Sequence, residues 1–285
     1  MKVGLSNLLF VRSSVEKSVE KCAELGADFI EIIYDFPHFM PGHDPHELRA
    51  LRRLIEHNGL GVSVHGSFWD LNPASHRPEL WKLSLDQAKK SLQACSILGG
   101  KITVLHLGRC PISDLKWFMD GSKRLYDRFI KECLGYARKL DITIALENMD
   151  LSFIPYSTLP ELNNLTDRFD GLKVCLDVGH AYRKNDVWRP YQSGKTQKKK
   201  NREAKIARNV KRLGDKIVHV HFHDNHGGND DHLVPGQGKM NFGPIVKAIK
   251  GTGFDGFVVI ELFDPGNAEK AGRAGLEATR RIFGL

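Results

Sequence analysis

The chain has 285 residues, of which 41% are apolar and 27% charged, and its formal net charge is +8. That length and apolar share allow one sizeable core and exclude extensive disorder, and no apolar run is long enough to span a bilayer. The positive balance favours anionic partners, but part of it sits in one run, Lys195 to Arg202, that reads equally as a solvated loop and helix start.

The first strand is predicted near Lys2–Leu5. Met1 to Leu5 lacks the pattern of a signal peptide, and the five scattered cysteines never form a CxxC pair, so a reduced, cytoplasmic setting without a membrane partner is the expectation. A helix follows from about Val15 to Leu25, with Ser13 and Glu16 spaced as a capping box and Gly26 where a helix would stop. The second strand, Phe29–Tyr34, leads to Asp44-Pro45, a cap followed by a proline that opens a helix ending near Asn58-Gly59. Further strands are predicted at Gly61–His65, Lys101–His106, Ile142–Glu147, Leu172–Asp177, Ile217–His223 and Phe257–Leu262, and a long helix ends at Gly99-Gly100. Strand–helix units repeated without a linker predict one (β/α)8 TIM barrel over residues 1–285. An open doubly wound sheet fits less well, because no Gly-rich phosphate loop follows the first strand.

The chemistry lies where these strands end. The apolar runs stop at His65, His106, Glu147, Asp177 and Glu261, and the seventh strand spaces His219, His221 and His223 two apart. A strand alternates faces, so these histidines share one face while Val218, Val220 and Phe222 share the other. The apolar set belongs against the helices, which turns the histidines and strand-end acids into the barrel, at the end where such barrels keep their active sites. Each residue alone also reads as a hydrogen-bonded core group, and Asp177 to His180 as a turn with a helix cap. Together they form a cluster of imidazoles and carboxylates with no matching inward Lys or Arg, which divalent cations compensate best.

The motif order "VHGSFWDLNPAS", "VLHLG", "LENM", "CLDVGHA", "HFHD", "DDHLVPGQG" and "VIELF" resembles the xylose isomerase-like barrel superfamily and, within it, endonuclease IV, the zinc-dependent abasic-site nuclease. This resemblance implies up to three Zn2+ ions held by His65, His106, Glu147, Asp177, His180, His221, Asp230, His232 and Glu261, with Glu147 and Glu261 as bridging carboxylates and DNA with abasic sites as the partner. The loops "SNLLFVRSS" and "DFPHFMPGHD" depart from the DNA-reading loops of that family. The alternative is an isomerase or epimerase of a sugar or sugar phosphate. It needs one Mn2+, Mg2+ or Co2+ on Glu147, Asp177, His221 and Glu261, with Glu147 and Glu261 as the catalytic acid–base pair and His223, His226 and Lys239 as substrate contacts. A non-catalytic, metal-binding barrel is a third reading.

Overall fold

The structure is a computed structural model that describes residues 1–39, 44–149, 151–183 and 202–285. Strands β1 (Lys2–Ser6), β2 (Phe29–Ile33), β3 (Gly61–His65), β4 (Ile102–Leu105), β5 (Thr143–Glu147), β6 (Lys173–Asp177), β7 (Ile217–Phe222) and β8 (Phe257–Ile260) pair in parallel in chain order. β8 pairs back onto β1 and closes the barrel predicted from the sequence. Around it run α1 (Val15–Glu24), α2 (Pro45–His57), α3 (Pro78–Leu98), α4 (Lys116–Leu140), α5 (Leu159–Arg168), the short α6 (Val178–Tyr182), α7 (Arg202–Leu213), α8 (Phe242–Gly251) and α9 (Ala268–Phe283). Of the basic run, Lys195 to Asn201 lie outside the described residues, and Arg202 opens α7. None of the described helices is long and apolar enough to cross a membrane.

Local chemistry explains the element ends. Asp44 caps α2 by accepting the His46 N–H at 2.8 Å, with Pro45 in the first turn as expected. The expected cap of α1 is corrected by one residue. Ser14, not Ser13, accepts the Lys17 N–H at 3.3 Å, which leaves Glu16 out of register for a capping box. A reciprocal box opens α5 instead, between Thr158 and Glu161.

The strands carry two kinds of side chain. Outward residues such as Ile30, Val64, Leu146, Val220 and Phe222 join one continuous core with the helices, where each fully buried aliphatic or aromatic side chain contributes roughly 1.5–3 kcal/mol. Inside the barrel a small plug of Val104, Ala145 and Cys175 packs with Ile102 and Val218. Val218 therefore faces inward, against the helix-side placement that strict alternation predicts. The register between β6 and β7 shifts where Cys175 pairs with His219 while Val174 pairs with Ile217, and this irregularity puts Val218 and His219 on the same side. Above the plug the interior is polar: Glu31, Ser63, His65, Glu147, Asp177, His219 and His221 are all buried.

Candidate metal centre

The carboxyl ends of β3 to β8 bring the predicted side chains to one rim. Glu147, Asp177, His221 and Glu261 each offer an atom within 4.8 Å of the others. His221 Nδ1 lies 3.3 Å from Glu261, 3.5 Å from Glu147 and 3.8 Å from Asp177, and makes no hydrogen bond although it is buried. Its other nitrogen, Nε2, lies 3.0 Å from Glu31 Oε1. Glu31 is a residue the sequence reading missed. It stands in the middle of β2, fully buried, and its second oxygen takes the His219 Nε2 contact at 2.8 Å. The Glu31 carboxylate lies within ion-pair reach of the far nitrogen, without hydrogen-bond alignment, and favours the proton there, so that Nδ1 presents its lone pair to the acid cluster. Burial opposes charge on Glu31, but His221 and His219 hold its carboxyl well below the usual range.

Two further groups adjoin this one. His65 and His106 direct Nε2 at Glu147 Oε2 from 3.3 and 3.1 Å. The His65 Nδ1 lies 2.9 Å from the Gly66 carbonyl, which can only accept, so Nδ1 carries the proton. In a neutral ring the lone pair on Nε2 would then face a carboxylate, a contact that only a second proton or a bound cation makes favourable. On the other flank, His180 Nε2 lies 2.9 Å from Asp230, and His232 Nε2 lies 3.5 Å from it. Here a permanent cation is already present: Arg183 Nη1 reaches the same Asp230 oxygen at 3.0 Å. Arg183 is the basic partner that strand-end reasoning did not supply. Burial would raise the Asp230 carboxyl, but His180 and His232 hold it far down; burial would lower the His180 ring, but Asp177 and Asp230 hold it well up.

The loop that carries Asp230 and His232 is organised by Asp224, just past β7. Asp224 Oδ2 accepts the N–H groups of Gly236 and Gly238, both at 2.9 Å, and its backbone pairs with Leu233. A Cβ on Gly238 would lie 2.3 Å from the Asp224 carboxylate, so only glycine fits there. Asn148 is structural: its side-chain amide exchanges two hydrogen bonds with the backbone of Asp177, both at 2.9 Å, locking the end of β5 to the start of α6. Of the expected substrate contacts, His223 is buried, stacks on His232 with centroids 4.1 Å apart, and reaches Asp177 at 3.3 Å. His226 is exposed, with its backbone N–H bound by Asp231. Lys239 is exposed as well, and its carbonyl accepts from the Tyr182 hydroxyl.

The donor set fits a divalent cation. Among the described residues, the only basic groups within ion-pair reach of Glu147, Asp177 and Glu261 are imidazoles. Burial raises the Glu147 carboxyl, but His221 and His106 more than offset it and hold it well below the usual range. Three converging carboxylates around one unpartnered ring nitrogen give the oxygen-rich, nitrogen-bearing set that suits Mn2+, Mg2+, Co2+ or Zn2+.

Residues 19–282 match the sequence profile described as Xylose isomerase-like TIM barrel. An uncharacterised protein of Methanocaldococcus jannaschii is 31% identical over 268 residues, which cover 92% of this chain and 83% of its own length. Fructoselysine 3-epimerase of Escherichia coli O157:H7 is 24% identical over 271 residues, covering 92% and 90%. A solved D-tagatose 3-epimerase-like protein superposes with a TM-score of 0.80 at 27% identity, covering 99% of this chain and 98% of the other. The endonuclease IV likeness expected from motif order is only partial. A probable endonuclease 4 of Methanoculleus marisnigri is 25% identical over 179 residues, 60% of this chain and 62% of its own length. Among the likenesses with a named activity, those that span the full length are to sugar epimerases, and the finer nuclease placement gives way to the broader one. The chain belongs to the xylose isomerase-like TIM barrel family.

Proposed function

We propose that this chain is a divalent-metal-dependent epimerase or isomerase acting on a ketose or a ketose derivative. One observation carries the reading: Glu147, Asp177, His221 and Glu261 converge within 4.8 Å with no permanent cation among them, whereas the neighbouring Asp230 already has Arg183. The four-donor group therefore needs an ion that the flanking group does not. A divalent ion held there supplies positive charge beside a substrate carbonyl and its neighbouring hydroxyl.

Glu147 and Glu261 come from β5 and the end of β8, and so reach the donor group from different sides of the barrel. One carboxylate takes the proton from the carbon beside the carbonyl, and the C–H electron pair passes into an enediolate of the substrate. The opposite carboxylic acid returns a proton to the other face of that carbon, which inverts its configuration with no net gain or loss of atoms. His65 and His106 hold Glu147 Oε2 in place for this exchange, and Phe68 packs against both rings. D-Tagatose, D-psicose and D-fructose in D2O with Mn2+, Co2+ or Mg2+ provide the test, read by NMR. Deuterium should enter the carbon next to the carbonyl and stop doing so with EDTA. No exchange on any ketose at full metal loading would falsify the reading.

A second reading, a zinc-dependent phosphodiesterase acting on DNA with abasic sites, is favoured by a specific observation. The triads His65–His106–Glu147 and His180–Asp230–His232 each converge within 4.8 Å as well. Three tightly held Zn2+ per chain and incision of an oligonucleotide with one abasic site support it; one exchangeable ion and no incision dismiss it.

A further inference from the structure

Beside His106 a cavity of about 750 Å3 opens under the loops that follow β3, β4 and β5 and runs outward between the barrel wall and helices α3 and α4. One end is at the donor group, since His106 lines the cavity and lies 3.1 Å from Glu147. On the helix side it is lined by Leu105 of β4, Ala88 of α3 and Phe129 of α4. A volume of this size is typical of sites for ligands larger than a monosaccharide.

The lining selects the occupant. Its deep serines are already satisfied: Ser84 donates to the Leu80 carbonyl at 2.7 Å and accepts the Asn72 N–H at 2.9 Å, while Ser67 donates to the Tyr34 carbonyl at 2.6 Å. Sugar hydroxyls placed beside these serines would find the serine protons already committed and only a lone pair left to donate to, a cost of about 1–3 kcal/mol for each group left unmet. An aromatic or branched aliphatic group would lose nothing and bury apolar surface. Charged side chains lining the cavity, Arg109 and Asp114, are on the exposed outer loop.

We propose that this cavity is a subsite for an apolar substituent, so that the enzyme acts on a ketose carrying an aryl or branched alkyl group in preference to a free ketose. The assignment of the reacting end rests on the epimerase reading; the subsite itself does not. Burial of a phenyl group corresponds to tighter binding by roughly 10- to 100-fold.

Calorimetric binding of D-fructose, 1-anilino-1-deoxy-D-fructose and 6-O-phenyl-D-fructose to the metal-loaded protein tests the subsite at either end of the sugar. At least one aryl ketose should bind about 10-fold or more tightly than fructose, and Ala88→Leu, which narrows the cavity from the helix side, should remove most of that preference. If Ala88→Leu does not fold, as judged by its circular dichroism melt, Ser113→Trp on the loop wall carries the same test. Equal binding of all three sugars, or a preference that survives both substitutions, overturns the subsite. Deuterium exchange on the same sugars reports the reaction separately: binding preference without exchange keeps the subsite and discards the epimerase.

Discussion

Two neighbouring groups at the barrel mouth are built from the same residue types and differ in how their charge is met. At Asp230 two imidazoles and the Arg183 guanidinium surround one carboxylate, so the group is neutralised by the chain itself. At Glu147, Asp177 and Glu261 the only basic side chains within reach among the described residues are imidazoles, and one of these, His221, lies against Glu31 on its outer side while its inner nitrogen makes no hydrogen bond. Ligand-type side chains at similar spacing thus come in two charge states here, one with a permanent cation already in place and one without.

The largest expected effect comes from the acid–base pair. Glu261→Gln or Glu147→Gln should lower deuterium exchange roughly a thousandfold, and a variant that retains more than a tenth of the rate would remove that glutamate from the chemistry. Glu31→Gln should next weaken metal binding about 10- to 100-fold, because His221 loses the partner that fixes its tautomer. Calorimetric titration with Mn2+ measures this directly, and an unchanged affinity would reduce Glu31 to packing.

Arg183→Ala tests the contrast itself. The parent should hold one divalent ion per chain by elemental analysis, and the variant a second, at His180, Asp230 and His232. A parent that already holds three abolishes the distinction. A smaller effect is expected from pH in the metal-free protein. Burial favours a neutral His232 ring, but its hydrogen bond to Asp230 and the charge of Glu261 hold its pKa up at about 9. Because the folded value is raised, the stabilisation is complete below about pH 6.5, the ordinary value, declines above it and is gone past about 9. The melting temperature of metal-free protein should fall across that interval, and His232→Gln should flatten the decline.

The smallest effect is a null. All five cysteines are free and buried, and burial pushes the Cys95 thiol up to about 11. A thiol reagent at pH 8 should thus react only after denaturation.

Much of this molecule was readable because a barrel strand has period two and ends at a defined rim. Wherever an apolar run stopped at His, Asp or Glu, the direction of that side chain followed, and His65, His106, Glu147, Asp177, His221 and Glu261 do converge; His180, Asp230 and His232 lie beyond the strands and were marked only by the family resemblance. Glu31 obeys the same rule, standing inward in the fully buried stretch Phe29–Ile33, but it lies mid-strand, where the reading looked only at ends. Arg183 was not legible in this way, since its partner Asp230 is on a loop beyond another strand and helix, and no local period links the two. Val218 was misplaced because a register shift between two strands is a property of their pairing and leaves no mark on either one alone. The apolar cavity is likewise assembled from α3, α4 and three loops, none of which carries a distinguishing pattern.

The knot around Asp224 has a bearing on how molecules come and go. Anchored at both glycine N–H groups and through the Leu233 backbone, the segment that presents Asp230 and His232 is stitched to the end of β7. It will behave as a fixed jamb, not a swinging door. Across the mouth, Phe68 and Trp69 sit on a turn that is held as well, by Asp35 accepting both their N–H groups and by Ser67 donating to the Tyr34 carbonyl, so the acids behind are reached through an opening with two set sides.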